Sequence, residues 1–148
     1  MAQYYPPPIL PDEYYTISGV CRQYDALIRN PRRDAAGDVP GYEGEYRVWT
    51  PTAGESADTS WGSFMSTDHE WIMERESPDC ANKKFVDESK HELSRRRITF
   101  WRESRHDRFY FIGVYQLHPE LTLLTGVRIY RRISDMLPSL EIKSIQSH

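Results

Sequence analysis

Residues 108–117 read RFYFIGVYQL, a run in which aromatic and branched side chains occupy both odd and even positions and one glycine, Gly113, sits near the centre. Successive side chains of an extended chain point to opposite faces. A strand that is apolar at both parities is covered on both sides, so this chain must place structure above and below the segment. The glycine adds a second constraint, because glycine inside a strand marks a bulge or a place where something approaches the backbone closely. The neighbouring sequence supplies pairing partners. Residues 96–103, RRITFWRE, have strand character and are joined to 108–117 by SRHD, a connection of hairpin length, which predicts an antiparallel pair. After HPELTLLTG, read as a wider connection, VRIYRRI at 127–133 alternates. It puts Val127, Ile129 and Ile133 on one face and Arg128, Tyr130 and Arg132 on the other.

Further strands are expected at WGSFM (61–65) and EWIMER (70–75), with a short one at Tyr46–Trp49 inside an otherwise turn-rich stretch from Asn30 to Asp58. Near the N-terminus, Asp12 is placed to cap a helix whose apolar positions Ile17, Val20, Cys21, Tyr24, Leu27 and Ile28 step by three and four, ending at Asn30-Pro31. Gly19 weakens that helix by about 1 kcal/mol relative to alanine. The preceding PPPILP (6–11) reads as an extended arm that either docks or hangs free, and SDMLPSL (134–140) as a capped turn. One helix and about six short strands predict an α+β domain built on a small, strongly curved antiparallel sheet or a closed barrel, closure being one way to remove exposed edges. The expected organisation is an arm at 1–11, one domain at 12–140 with its barrel core at 45–135, and a tail at 141–148.

At 148 residues, 39% hydrophobic and 28% charged, the chain suits one core that needs no metal or disulfide. No apolar run approaches the ~20 residues that cross a bilayer, so no membrane partner is expected. The opening MAQYYPPPILPDEYY lacks a basic segment followed by an apolar one, which leaves an intracellular location, cytoplasmic or nuclear, as the default. Cys21 and Cys80 belong to no CxxC or Cys/His cluster, so no zinc site or other cofactor is implied, and reduced, buried thiols are expected. Residues 1–75 hold six Lys/Arg against twelve Asp/Glu, whereas 76–148 hold thirteen against ten. The C-terminal half is thus the candidate anion-facing half.

The element Phe111-Ile112-Gly113-Val114-Tyr115, followed by Tyr130-Arg131-Arg132, resembles the PUA-like superfamily of small β-barrels. Within it the pattern is similar to the SRA (YDG) type and to bacterial modules appended to HNH and other restriction-type nucleases. In the SRA type a strand reading roughly Tyr-Asp-Gly-hydrophobic-Tyr precedes a strand that ends in basic residues. SWGSFMSTDHEWIMER (60–75), with Trp61 and Glu74, is similar to the stretch those bacterial modules carry before the central hairpin, and the likeness covers about residues 45–135. Ile112 stands where the motif has aspartate, so any hydrogen bond from that acid is absent. The resemblance implies the fold and a general role in reading nucleic acid.

Four tryptophans and ten tyrosines exceed what a core of this size needs for volume, and a flipped base is held by stacking between aromatic planes and by hydrogen bonds to its edge. Trp61, Trp71 and Trp101 are the expected stacking residues, Tyr110 and Tyr130 the expected contacts to base or sugar, and Arg128 and Arg132 the expected phosphate contacts, the aromatic Tyr130 lying between the two cations. The competing reading of the rings is core packing, and of the arginines a solvated face with Glu92, Glu103 and Asp107 as counterions. Pro78-Asp79 and Glu88-Ser89-Lys90 reproduce in letters the PD…ExK constellation of Mg²⁺-dependent nucleases, but VDESKHEL has no strand pattern to carry it. Asp68, Glu70 and Glu74 share parity and, with His69, would allow acid/base chemistry if they lay on one face, though a solvent-facing acidic edge explains the pattern more simply. The sequence reading is a non-catalytic module that binds DNA or RNA, plausibly DNA with a flipped or modified base in a defence or modification setting. Its alternative is a module that binds a protein partner, such as a nuclease complex, through the acidic N-terminal half.

Overall fold

A computed structural model describes residues 2–6, 16–26, 36–55, 62–75 and 93–143. Its elements are β1 (Tyr4–Tyr5), α1 (Ile17–Arg22), β2 (Ala36–Asp38), β3 (Tyr46–Trp49), β4 (Gly54–Glu55), β5 (Gly62–Met65), β6 (Trp71–Arg75), β7 (Arg96–Trp101), β8 (Tyr110–Leu117), α2 (Pro119–Thr125), β9 (Arg128–Ser134) and β10 (Leu140–Glu141). Every strand predicted from the sequence is present. The helix α1 begins where its apolar spacing does, capped by Thr16, whose hydroxyl accepts from the Gly19 N–H at 3.0 Å, and it ends at Arg22, before Tyr24 of the expected stripe. The expected Asp12 cap, Leu27 and Ile28 lie outside the described residues.

Eight strands form one sheet in the order β2-β3-β7-β8-β9-β6-β5-β4, and β1 pairs with β10 in a separate two-stranded ribbon. The sheet has two ends, so the described strands do not close into a barrel. It is also mixed: β3 runs parallel to β7, while the other seven pairings, including β1 with β10, are antiparallel. Both points correct the expectation of a closed or wholly antiparallel sheet. Alternation and turn signals report only on neighbours in sequence, and the long connection from β3 to β7 permits either direction.

Strand β8 lies inside the sheet between β7 and β9, and both of its faces are covered. One core packs Val48, Ile98, Phe100 and Phe109 against Val20, Cys21 and Tyr24 from the α1 region and Tyr5 and Leu140 from the terminal ribbon. The other joins Trp49, Ile72, Trp101, Ile112, Tyr115, Leu117 and Tyr130. The apolar character of β8 at both parities follows from these two layers.

Two register shifts interrupt the alternation. Opposite β7, Thr99 pairs with Gly113 and Phe100 with Phe111, which leaves Ile112 as the extra residue; opposite β8, Ser134 pairs with Val114 and Arg132 with Tyr115, which leaves Ile133 extra. The second bulge turns Ile133 out to 48% exposure and removes it from the face it was expected to share with Val127 and Ile129. Gly113 sits between the two bulges with φ at 147°, and what approaches it is its own sheet. A Cβ there would lie 2.5 Å from Arg132 Cδ and 2.8 Å from the Ser134 carbonyl oxygen.

The segment read as a wide connection is the helix α2. His118 caps it by accepting from the Leu121 N–H at 3.2 Å, Pro119 begins it, Glu120 lies in its first turn, and Gly126 ends it in the left-handed conformation. Ser134 closes the following turn by accepting from the Met136 N–H at 3.1 Å.

Candidate functional site

The second core contains charges. Glu74 of β6 stands opposite Arg128 of β9, and their side chains meet at 3.4 Å. The same carboxylate lies 3.7 Å from Arg97 of β7, with Arg97 4% exposed and Glu74 9% exposed. Strands β6 and β7 are three ladder steps apart, about 14 Å in a flat sheet at the usual strand spacing. The ion pair therefore spans one face of the sheet across β8 and β9. The Arg97 guanidinium carbon also lies 4.5 Å from the ring centres of both Trp49 and Tyr130, which pack 4.9 Å apart, and the Tyr130 hydroxyl lies 3.4 Å from Glu74. Each charge has an opposite charge or a π face beside it, the condition under which charges persist in a core.

At the edge of this core is a cavity of about 220 Å³ lined by Ala53, Gly54, Ser63, Phe64, Met65, Trp101 and Glu103. It is smaller than the ~300 Å³ at which drug-sized pockets begin. Trp101 donates its indole N–H to Glu103 Oε1 at 3.0 Å, and the Tyr110 hydroxyl reaches the same oxygen at 3.3 Å. Partial burial and then the adjacent Glu103 carboxylate raise the pKa of Tyr110, which keeps that hydroxyl a donor. Beside the cavity the β7–β8 connection carries Arg102, Arg105 and Arg108 within seven residues. Ser104 shapes this tip, with its hydroxyl 3.1 Å from Asp107 Oδ2 and accepting from the His106 N–H at 3.3 Å, while Arg102 is held by Thr52 Oγ1 at 2.7 Å.

The residues expected to act together are distributed over four places. Trp101 lines the cavity and Tyr110, 40% exposed, borders it through Glu103. Tyr130 and Arg128 belong to the buried cluster, and the cation over the Tyr130 ring is Arg97. Arg132 lies across Gly113 and reaches the Ile112 carbonyl at 3.5 Å. Trp71 is on the opposite face, 5.8 Å from the His118 ring and beneath the Arg131 guanidinium at 5.4 Å. Trp61 lies outside the described residues, as do Cys80 and the PD…ExK letters. Glu103, which sequence reasoning treats as a counterion, is the acidic group of the cavity. Its signal was its place two residues beyond Trp101, where the hairpin connection begins.

The acidic trio divides as well. Asp68 accepts from Ser66 Oγ at 2.6 Å and from the Glu70 N–H at 3.0 Å, contacts that lower its pKa. Glu70 pairs with Arg131 at 3.1 Å and Glu74 is in the core. Three carboxylates expected on one face thus serve a turn, a surface pair and a buried pair. Among the described residues no group of three or more His, Cys, Asp or Glu is placed to hold a metal ion.

The family model described as the SET and RING associated domain, SRA, matches residues 13–139. The chain belongs to the SRA family. The resemblance drawn from residues 111–115 and 130–132 is thereby established. Among solved structures, the 5-hydroxymethylcytosine-specific restriction enzyme AbaSI is similar to this SRA domain in fold, with a TM-score of 0.60 and 18% identity over 85% of this chain and 39% of that one. The SRA domain described here thus spans well under half the length of that enzyme. No curated protein matches it.

Proposed function

We propose that this SRA domain is a non-catalytic reader of DNA carrying an everted or modified base, in a modification or defence setting. The observation that carries the reading is the cavity of Trp101 and Glu103 at the edge of a sheet whose family is SRA. An everted base needs a flat apolar wall, a polar group for its edge and cations nearby for the backbone. Phe64, backed by the 2% exposed Trp101, supplies the first, Glu103 the second, and Arg102, Arg105 and Arg108 of the adjoining tip the third. Trp61, the further stacking residue expected from the sequence, lies outside the described residues. Arg128, Arg132, Tyr130 and Trp71 do not line this cavity.

The test is fluorescence polarisation with duplexes that differ at one position in cytosine, 5-methylcytosine or 5-hydroxymethylcytosine, the last chosen because AbaSI is specific for it. A modified duplex should bind more tightly than the unmodified one, and binding should weaken steeply with salt. Failure of every duplex to bind at low salt would overturn the reading in favour of a protein partner for the acidic N-terminal half. Cleavage on adding Mg²⁺ would overturn its non-catalytic part.

A further inference from the structure

We propose that Arg102 is a positioning residue: it staples together two chain segments that wall the cavity and holds the conformation of the basic tip beside it, acting on nucleic acid through these and not by a contact of its own. The inference rests on the reader function just proposed and concerns what keeps that site in shape. Much of the cavity lining comes from the neighbours of two residues that face each other. Ala53 and Gly54 follow Thr52, while Trp101 and Glu103 flank Arg102. Thr52 and Arg102 form an isolated parallel bridge beyond the last paired residues of β3 and β7. The Arg102 N–H donates to the Pro51 carbonyl at 3.3 Å, and the Ala53 N–H donates to the Arg102 carbonyl at 2.9 Å.

The side chain repeats what the backbone does. Its Nε–H donates to Thr52 Oγ1 at 2.7 Å, Nη1 reaches the Arg105 carbonyl at 3.4 Å, and the guanidinium carbon lies 4.4 Å from the ring centre of Phe109, a core residue 1% exposed. One planar group thus joins the cavity wall, the tip and the core. Burial, and then the neighbouring Arg105, lower the Arg102 pKa, as befits a cation drawn partly out of water beside another cation. A lysine in its place keeps the charge, but an ammonium is a point charge that cannot lie flat on the ring while bonding acceptors on two different segments. Charge and geometry are therefore separable at this position.

The experiment takes the wild type, Arg102→Lys, Thr52→Val and the double variant through two measurements: polarisation titrations with the duplex of the preceding panel that binds most tightly, and amide hydrogen exchange followed by NMR. Arg102→Lys should weaken binding roughly tenfold although it keeps the charge and the salt slope, and Thr52→Val should weaken it about threefold. The double variant should bind no more weakly than Arg102→Lys, because both changes undo one staple. In Arg102→Lys, exchange at the Ala53 and Asp107 amides should quicken roughly tenfold while that of Ile98 in the core stays as in the wild type, which separates a loosened site from an unfolded chain. If Arg102→Lys loses the fold, the loss of affinity in Thr52→Val decides alone. Wild-type affinity in Arg102→Lys overturns the inference in favour of a direct charge contact. Losses that multiply in the double variant, or unchanged exchange at Ala53 and Asp107, overturn it too, and each of these outcomes leaves the reader function standing. Failure of the wild type to bind any duplex of the panel overturns both.

Discussion

At the scale of single residues, Gly113 and Glu74 show how little of a side chain's task is visible in its type. The sequence marks Gly113 as a point of close approach without saying what approaches; in the fold it is Arg132 and the Ser134 carbonyl. Gly113→Ala meets a backbone oxygen that cannot swing aside and a φ of 147° that L-residues avoid. It should cost about 2 kcal/mol, read as a fall in melting temperature of roughly 5 °C. Glu74 compensates two guanidiniums in the core. Glu74→Gln leaves them facing a neutral amide and should cost about 3 kcal/mol or more, a fall of roughly 10 °C in the same measurement. Strand parity correctly put Arg128, Tyr130 and Arg132 on one face. Parity carries no depth, however, and the depth that turned Tyr130 and Arg128 inward comes from strands up to three ladder steps away.

At the scale of elements, the hairpin of β7 and β8 was legible because both of its strands and its connection are local. The helix α2 was equally local, and its signals were in plain view: a proline at its start, a glutamate in the first turn and a glycine just past its end. Its exposed Leu123 and Leu124 blurred the apolar stripe by which helices are usually found. Gly126 occupies the left-handed cap position, so Gly126→Ala should cost about 1 kcal/mol, measured by chemical denaturation. The tip between β7 and β8 answers a different question. If it tracks a phosphate backbone, Arg105→Ala should weaken binding to every duplex alike and reduce the slope of log affinity against log salt by about 1, checked by titrations at several salt concentrations.

At the scale of the whole molecule, buried ionisable groups set the alkaline limit of stability. Burial pushes the Cys21 thiol up to about 11; burial, then the hydrogen bond to Asp25, pushes the Tyr5 hydroxyl up to about 12; and burial pushes Tyr115 up to about 12. Unfolding returns these groups to ordinary values near 9 and 10, so above pH 9 the unfolded chain binds fewer protons than the folded one. Stability is then undiminished below about pH 9 and declines as pH rises toward 12. Melting temperatures recorded from pH 7 to 11 should be level and then fall, and Cys21 should resist alkylation at pH 8 until the protein is denatured.

From the order of residues alone came six of the ten strands, the helix by the N-terminus, the central hairpin and the family, because periodicity, turn chemistry and short motifs are properties of neighbours. The direction of β3 against β7, the open order of the sheet, the inward turn of Tyr130 and Arg128, and the meeting of Trp101, Tyr110 and Glu103 with β5 around one cavity were settled only in three dimensions. Each of these depends on segments brought together across long stretches of chain, where free energy is set by burial and charge pairing that no local pattern encodes.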